Sequence, residues 1–185
     1  MQGSGYLAIW SDLAPEDETD WAHWITREHA AERVGISGFL ACRIFRALGT
    51  SANRYFILYE LETPDAVGGP EYLARLNAPT PWSQKTMPRL QNFARGGGRL
   101  AASAGVGQGG IVAVLRLDEV PEWDAAALTK QLASLDRIIA ARVLLTDGRR
   151  RLEFYRSRSQ AAVLDARAAW SRPGAERHVP EHLER

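Results

Sequence analysis

The side chains best suited to chemistry lie close together in residues 21–33, whose sequence is WAHWITREHAAER. Within this stretch, Glu28 and His29 are neighbours. An imidazole can hold or release a proton near neutral pH, and a carboxylate beside it can orient it as a general base. We predict that His29 is a catalytic base and that Glu28 orients it. A structural alternative stays open, in which Glu28 pairs with Arg43 or Arg54 and His29 only packs.

A helix is the element expected to position this pair. At about 100° per residue, one band about 60° wide contains the side chains of Trp21, Ile25, Glu28 and Glu32. His29 is then about 80° from Trp21, on the flank of that band. Glu28 is expected to be partly buried beside aromatic surface, where a carboxyl group is shielded from water and needs a partner.

Other residues could bind a substrate. Arg43 interrupts an otherwise apolar strand face and could hold an anionic oxygen, because a guanidinium presents paired donors. A salt bridge from Arg43 to Glu28 or Glu60 is the alternative. Flat surface for a planar ligand is expected from Trp10, Tyr55, Tyr59, Trp24 and Trp82. Ordinary core packing would explain these aromatic residues equally well.

No metal site follows from the histidines. His23 is about 120° from His29 around the helix, so the two cannot share a metal ion. Residues 178–182, HVPEH, match a metalloprotease pattern letter for letter, but Pro180 lies between the histidines. We therefore predict no metal.

Nucleotide binding and cysteine chemistry are also not expected. The G-x-G-x-x-G pattern is matched by Gly105, Gly107 and Gly110, but a strand is expected to begin at Ile111, where a dinucleotide fingerprint needs a helix. Cys42 has no histidine nearby in the sequence to activate it. We predict no cofactor.

The elements of the first half follow the order strand, helix, strand, strand, helix, strand. Strands are expected at residues 5–11, 39–48, 54–62 and 99–104. A long helix should begin at Pro15, which suits the first helical position, and run to about Val34, before Gly35. Further helices are expected at residues 70–77 and from Pro81 through Phe93, interrupted at Pro88. This order predicts an α+β fold with a ferredoxin-like unit.

A similar order begins again after two glycine runs, residues 96–98 and 105–110, which we expect to be flexible connections. A strand at 111–117, a helix at 123–135 and a strand at 138–145 are expected, with remaining strands at 152–156 and 161–165. The polar tail from residue 171 is expected to be peripheral. We predict two domains, a ferredoxin-like unit at residues 1–105 and a degenerate second copy in tandem at 106–185.

Composition limits the partners. The formal net charge is +1 and 24% of residues are charged, which gives no field strong enough to recruit nucleic acid or an anionic membrane. No stretch approaches the roughly 20 apolar residues of a membrane span, and the first apolar run is typical of a strand, not of a signal peptide. A single cysteine favours the reducing cytoplasm. We predict a cytoplasmic protein with a small-molecule ligand.

Residues 21–47, 54–66 and 77–93 together resemble the EthD-like branch of the dimeric α/β-barrel superfamily. They have its tryptophan-rich helix ending in Glu-His, its Gly-Phe strand start and its Tyr-bearing strand. The resemblance covers about the first 100 residues. It implies sheets that face each other as an α/β barrel, between two chains of a homodimer or two halves of one chain, with a ligand cavity near the end of the first helix. Only Glu28 and His29 match the histidine motif of the family.

The main functional prediction is a cofactor-independent enzyme that acts on a small aromatic or polyketide-like compound by proton transfer, in isomerisation, cyclisation or elimination. One alternative is a non-catalytic protein that binds a small molecule or mediates dimerisation. A further alternative, from the resemblance, is a cofactor-free monooxygenase or a haem protein.

Overall fold

The computed structural model describes residues 1–49, 54–107, 109–117, 124–146 and 151–157, with the backbone alone for 115–117 and 151–157. The chain divides into two units, Met1–Gly98 and Arg99–Arg185. This boundary precedes residue 105, where the sequence predicted it. Among the described residues, no helix has both the length and the apolar character that crossing a membrane requires.

The first unit has the element order expected from the sequence. Its strands are β1 Gly5–Asp12, β2 Phe39–Arg46, β3 Tyr55–Leu61 and β4 Gln91–Gly105, the last of which continues into the second unit. Its helices are α1 Glu18–Trp24, a π-helical turn Ile25–His29, α2 Ala30–Val34, α3 Pro70–Asn77 and α4 Pro81–Thr86. The strand order is β2-β3-β1-β4, and β3 is antiparallel to both of its neighbours. The predicted α+β fold class is confirmed.

Strand register assigns the side chains of this sheet to two faces. Cys42 lies opposite Tyr59, and Arg43 lies opposite Leu58. Because successive side chains of a strand point to opposite faces, Tyr59 and Cys42 share one face and Arg43 lies on the other. The helices cover the face of Tyr59, whose hydrophobic core also contains Leu7, Trp21, Trp24, Ile25 and Tyr72.

The first helix differs from the regular α-helix that the sequence predicted, because α1 and α2 are joined by the π turn. A π turn has i→i+5 hydrogen bonds and takes more residues than an α turn. Side chains four residues apart therefore stay in line along the core face. The buried residues with this spacing are Trp21, Ile25, His29 and Arg33. His29, expected on the flank, is turned into the core. Glu28 is partly buried, as expected.

Helix α4 is shorter than predicted. It ends at Thr86 and is followed by the 3-10 turn Met87–Arg89, which contains Pro88. Proline lacks the N–H that would continue the helical bonding, so the chain leaves the helix here. Phe93, expected on this helix, lies in β4.

The glycines at residues 96–98, expected to be a flexible connection, lie inside β4. A Cβ on Gly97 would lie 3.2 Å from the carbonyl oxygen of Tyr6, so glycine allows the backbones of β1 and β4 to approach closely. Gly105 at the end of β4 has a φ of +76°, and a Cβ there would collide with the carbonyl of Ile139. At Gly97 and Gly105, close contacts with neighbouring backbone leave no room for a larger side chain.

The second unit contains β5 Ile111–Leu117, α5 Ala125–Ala133, β6 Ile138–Thr146 and β7 Arg151–Ser157. Its strand order is β4-β6-β7-β5, and β7 is antiparallel to β5 and to β6. All four elements were predicted within two residues at each end. The last predicted strand, residues 161–165, and the tail from 171 lie outside the described residues.

The turn between helix and strand has the same construction in both units. In the first unit its backbone N–H bonds run from Gly35 to Ala31, Ile36 to Arg33 and Phe39 to Ile36. The same three bonds recur 99 residues later, from Ser134 to Lys130, Leu135 to Leu132 and Ile138 to Leu135. The residue before each strand has a positive φ, +85° at Gly38 and +64° at Arg137. Both strands then shift register by one position, at Phe39/Ala41 and Ile138/Ala140.

Candidate functional site

His29 ends the π turn with its ring in the core, where the residue is 7% exposed. The ring packs against the indole of Trp24, with centroids 4.3 Å apart and planes 32° apart. Its Nδ1 has no hydrogen-bond partner among the described residues. A carboxylate oxygen of Glu32 lies 3.9 Å from Nδ1, which is beyond hydrogen-bond distance. A buried ring nitrogen without a hydrogen-bond partner is uncommon in proteins, which marks His29 as a candidate functional residue.

The environment of His29 keeps the imidazole neutral. Burial lowers the pKa of His29 from 6.5 to about 3, and the positive charge of Arg33 acts in the same direction. Both causes disfavour a second positive charge in a largely buried site. At neutral pH the ring therefore offers one nitrogen as acceptor and the other as donor.

Arg33 lies one turn beyond His29 and is 4% exposed. Its Nη1 has no hydrogen-bond partner among the described residues, and its Nη2 is 4.0 Å from the Glu32 carboxylate. Charge-assisted hydrogen bonds are usually about 2.7–2.9 Å long, so this pair is not closed. The guanidinium lies 5.8 Å from the ring centre of Tyr72, a cation–π contact that offsets only part of the cost of burying the charge.

The hydroxyl of Tyr59 adds a neutral donor. Tyr59 is 1% exposed, and its hydroxyl has no hydrogen-bond partner among the described residues. Burial raises the pKa of Tyr59 well above 10, and the neighbouring Cys42 thiol acts in the same direction. The Cys42 thiol lies beside this hydroxyl, and sulfur is only a weak hydrogen-bond acceptor. The Tyr59 hydroxyl is therefore protonated and available to a ligand.

Cys42 is not reactive in this environment. Burial raises the pKa of its thiol to about 11, although the contact with Tyr59 opposes the shift. The thiolate is the nucleophilic form, so a thiol with this pKa is almost wholly inactive at neutral pH.

We call the group formed by His29, Glu32, Arg33, Tyr59 and Tyr72 the His29 cluster. Two exposed arginines lie on its solvent side. Arg95 donates to the Tyr72 hydroxyl at 3.1 Å, and Arg75 lies 3.9 Å from Glu32. The cluster and its edge thus contain three guanidinium groups and one carboxylate, an arrangement that favours an anion.

Glu28 does not orient His29 in this structure. Its carboxylate accepts a 2.6 Å hydrogen bond from the hydroxyl of Thr80, which also caps α4 by accepting from the backbone N–H of Ser83. The Ser83 hydroxyl in turn accepts from the indole N–H of Trp24, the ring that packs on His29. Glu28 therefore lies behind the aromatic partner of His29, and Glu32 occupies the adjacent position.

Arg43 and Trp10, predicted as substrate-binding residues, lie on the other face of the sheet from His29. The Arg43 guanidinium is 2.9 Å from the carboxylate of Glu60, although the two groups are not aligned as a linear hydrogen bond. Glu60 is fully buried, and this pairing was the structural alternative considered for Arg43. Trp10 stacks on Phe56 at 5.2 Å. The physical reason is register, since Arg43 follows Cys42 and must point the opposite way.

Tyr55 and Trp82 lie on the helix side but have other neighbours. Tyr55 packs on Trp21 at 4.3 Å and lines an open groove of about 330 Å³ with Glu18, Thr19, Ala22, His23 and Arg46. The indole N–H of Trp82 donates to Asp20. Of the predicted site residues, only Trp24 and Tyr59 join His29.

Arg33 and Tyr72 were not among the site residues predicted from the sequence. Arg33 continues the four-residue spacing of Trp21, Ile25 and His29. This spacing in the sequence is typical of a helix with more than 3.6 residues per turn. Tyr72 carried no such signal, because α3 meets the cluster only through the tertiary packing.

Among the described residues, no group of three or more potential ligands could hold a metal ion. Residues 178–182 lie outside the described part of the chain. Ile111 begins β5, as predicted, so the glycine pattern before it does not open a helix.

No family model matches the chain, and no curated protein matches it. Solved structures do match. A putative monooxygenase from Fusobacterium nucleatum has a TM-score of 0.59 at 10% identity, over 91% of this chain and 82% of that one. An anthrone oxidase-like protein has a TM-score of 0.61 at 11% identity, over 96% and 81%. A putative chlorite dismutase has a TM-score of 0.55 at 11% identity, over 91% and 86%. These likenesses cover both units and show that the chain has the fold of the dimeric α/β-barrel superfamily.

Proposed function

We propose that the protein is a cofactor-independent enzyme in which His29 accepts a proton from a small aromatic or polyketide-like compound. Loss of this proton leaves an enolate or phenolate, and isomerisation, cyclisation or elimination can each proceed from that anion. The assignment to the EthD-like branch belongs to the same proposal, as does a homodimer.

The observation that carries the proposal is the unpartnered Nδ1 of the buried, neutral His29. A neutral imidazole has a ring nitrogen with a free lone pair that can accept a proton, whereas an imidazolium has none. Trp24 holds the ring in place from behind, through its bond to Ser83. Such positioning reduces the entropy lost when substrate and base are brought together.

The low pKa of His29 determines when the imidazole can accept a proton. An imidazole with a pKa of about 3 is a weak base in the ligand-free protein. When its proton comes from a substrate whose oxygen becomes negative beside it, the new charge stabilises the imidazolium and raises its pKa. Proton transfer is then favoured only with the substrate in place.

Oxygenation is the second candidate, and the likeness to an anthrone oxidase-like protein favours it. An anthrone is a tricyclic aromatic ketone with an acidic CH₂ group. Its deprotonated form can be oxidised by O₂, and one anthrone and one O₂ give one anthraquinone and one water. This reaction begins with the proton transfer proposed for His29 and needs no further reductant.

Anthrone tests both candidates. In D₂O, proton transfer exchanges the CH₂ hydrogens for deuterium, which NMR follows, and oxygenation produces anthraquinone, which absorbance follows. We expect His29→Ala to lower the rate of whichever reaction is seen at least about 100-fold. The control is His23→Ala, because His23 is exposed on the same helix.

An unchanged rate in folded His29→Ala would contradict the catalytic role. Saturable binding of anthrone to the wild-type protein with neither exchange nor oxidation would favour the non-catalytic binding protein. A Soret band after haem addition, lost in His29→Ala, would favour the haem protein.

A further inference from the structure

We infer that the ligand of the His29 cluster carries an anionic oxygen and that the Arg33 guanidinium binds it, with the Tyr59 hydroxyl as second donor. This inference rests on the proposed function for the identity of the site, but it concerns recognition and not the reaction.

Arg33 provides the first argument, because its charge is buried without a closed partner. Arg33 is 4% exposed, yet Nη1 has no hydrogen bond among the described residues and the nearest carboxylate contact is 4.0 Å long. A charge in such a place is costly unless it is paired and hydrogen-bonded. A planar fork with free N–H groups fits a carboxylate, a phenolate or an enolate.

Glu32 provides the second argument, because its carboxylate forms no close contact with the three basic side chains around it. Its carboxylate lies 3.9 Å from His29, 4.0 Å from Arg33 and 3.9 Å from Arg75, and none of these contacts is a hydrogen bond. One of its oxygens, Oε2, is itself buried without a hydrogen-bond partner. The charged groups of the cluster are therefore too far apart to hydrogen-bond to each other. An additional anionic group could bind the Arg33 guanidinium.

The solvent side of the cluster suits the entry of an anion. Arg75 and Arg95 are exposed and contact Glu32 and Tyr72. Cations at the edge of a site attract anions from solution. Contacts of exposed arginines are weak, so these side chains can move aside for a ligand.

The second unit provides the third argument, because apolar residues there occupy the positions equivalent to His29 and Arg33. The shared turn makes Leu128, Leu132 and Ala141 equivalent to His29, Arg33 and Cys42. Leu132 and Ala141 are buried core residues, and Leu128 packs against them. The same turn is thus compatible with leucine at the position equivalent to Arg33. Arg33 is not required by the fold, and the chain itself suggests the variant Arg33→Leu.

Two matched pairs of probes test the charge of the ligand by calorimetry. The first pair is 2-naphthoate and its neutral isostere 2-naphthamide. The second is 4-nitrophenol at a pH where it is the phenolate and at one where it is the phenol. We expect the wild-type protein to bind at least one anion about 10- to 100-fold more tightly than its neutral partner, which corresponds to about 1.5–3 kcal/mol for a charge-assisted hydrogen bond. The pair that shows the preference distinguishes carboxylate from phenolate.

Arg33→Leu is expected to abolish this preference while its thermal midpoint equals or exceeds that of the wild-type protein. Arg33→Lys should keep part of the preference, since lysine retains the charge without the planar fork. The control is Arg27→Leu, an exposed arginine in the π turn, which should bind as the wild-type protein does. If Arg33→Leu does not fold, the ratio of anion to neutral affinity in Arg33→Lys decides.

An anion preference that is absent in the wild-type protein, or unchanged in the Arg33 variants, overturns the inference. So does the absence of saturable binding at millimolar concentrations of both anions. Binding is measured without turnover, so the two proposals are tested separately. An unchanged reaction rate in His29→Ala would overturn the proposed function and leave the anion preference intact. An unchanged anion preference in the Arg33 variants would overturn the inference and leave the proposed function intact.

Discussion

His29 lies in a buried environment, and this burial affects stability as well as chemistry. The unfolded chain protonates His29 near its ordinary pKa of 6.5, whereas the folded chain resists protonation until about 3. The unfolded state therefore binds one more proton between these values. The contribution of His29 to the free energy of unfolding is therefore fully present above about pH 6.5 and is lost as the pH falls toward 3.

We predict that His29→Gln reduces the acid sensitivity of folding. Each pKa unit corresponds to about 1.4 kcal/mol, so the free energy of unfolding should fall by about 3 kcal/mol less in the variant than in the wild-type protein between about pH 7 and pH 4. Urea unfolding at several pH values measures this difference. His23→Gln, on the exposed face, should keep the wild-type dependence, and equal slopes in all three proteins would show that His29 is not held neutral by the fold.

At the scale of elements, the π turn decides which residues of the first helix meet the sheet. An α-helix advances about 100° per residue, so one residue more or less rotates everything after it by that angle relative to everything before it. Trp21 and Trp24 lie before the turn, whereas His29 ends it and Arg33 follows it. The turn thus brings an aromatic half and a charged half of one helix onto the same core face.

We predict that deletion of Thr26 removes the extra residue of the turn and rotates His29 and Arg33 out of the cluster. Thr26 is exposed, and its hydroxyl bonds only to the carbonyl of Ala22 within the helix. The deletion should retain helical circular dichroism but lower the thermal midpoint and abolish the anion preference. Thr26→Ala keeps the residue count and is the control. Wild-type binding by the deletion variant would show that the π turn does not position the cluster.

At the scale of the whole molecule, the two units share a backbone plan but differ in the layer between helix and sheet. The first unit holds Arg33 and His29 there, and the second holds leucines at the equivalent positions. The degenerate tandem copy stays a prediction, and the turn shared by the two units is the observation that supports it. On this interpretation the protein has one ligand site in each chain.

We predict that titration with the preferred anion saturates at one equivalent per chain, whatever the number of chains in solution. Sedimentation analysis supplies that number, and two chains per particle is the outcome expected from the proposed homodimer. A binding ratio of two per chain, or a ratio of one that survives Arg33→Leu, would place a site elsewhere in the chain.

The sequence by itself determined the order of the elements and most of their limits. Hydrophobic alternation, Pro15, Gly35 and the Thr80-Pro81 start are local signals, and local backbone preferences act on them directly. The sequence also singled out His29, because an imidazole on an aromatic helix is recognisable without its neighbours.

Tertiary structure decided which side chains share a site. Strand register placed Arg43 with Glu60 and away from Tyr59, since a shift of one residue exchanges the two faces of a sheet. The π turn brought Arg33 into line with His29, and the packing of α4 assigned Glu28 to Thr80. These outcomes depend on contacts between residues far apart in the chain, which periodicity within one element does not contain. The identity of a candidate base was therefore local information, and the identity of its partners was not.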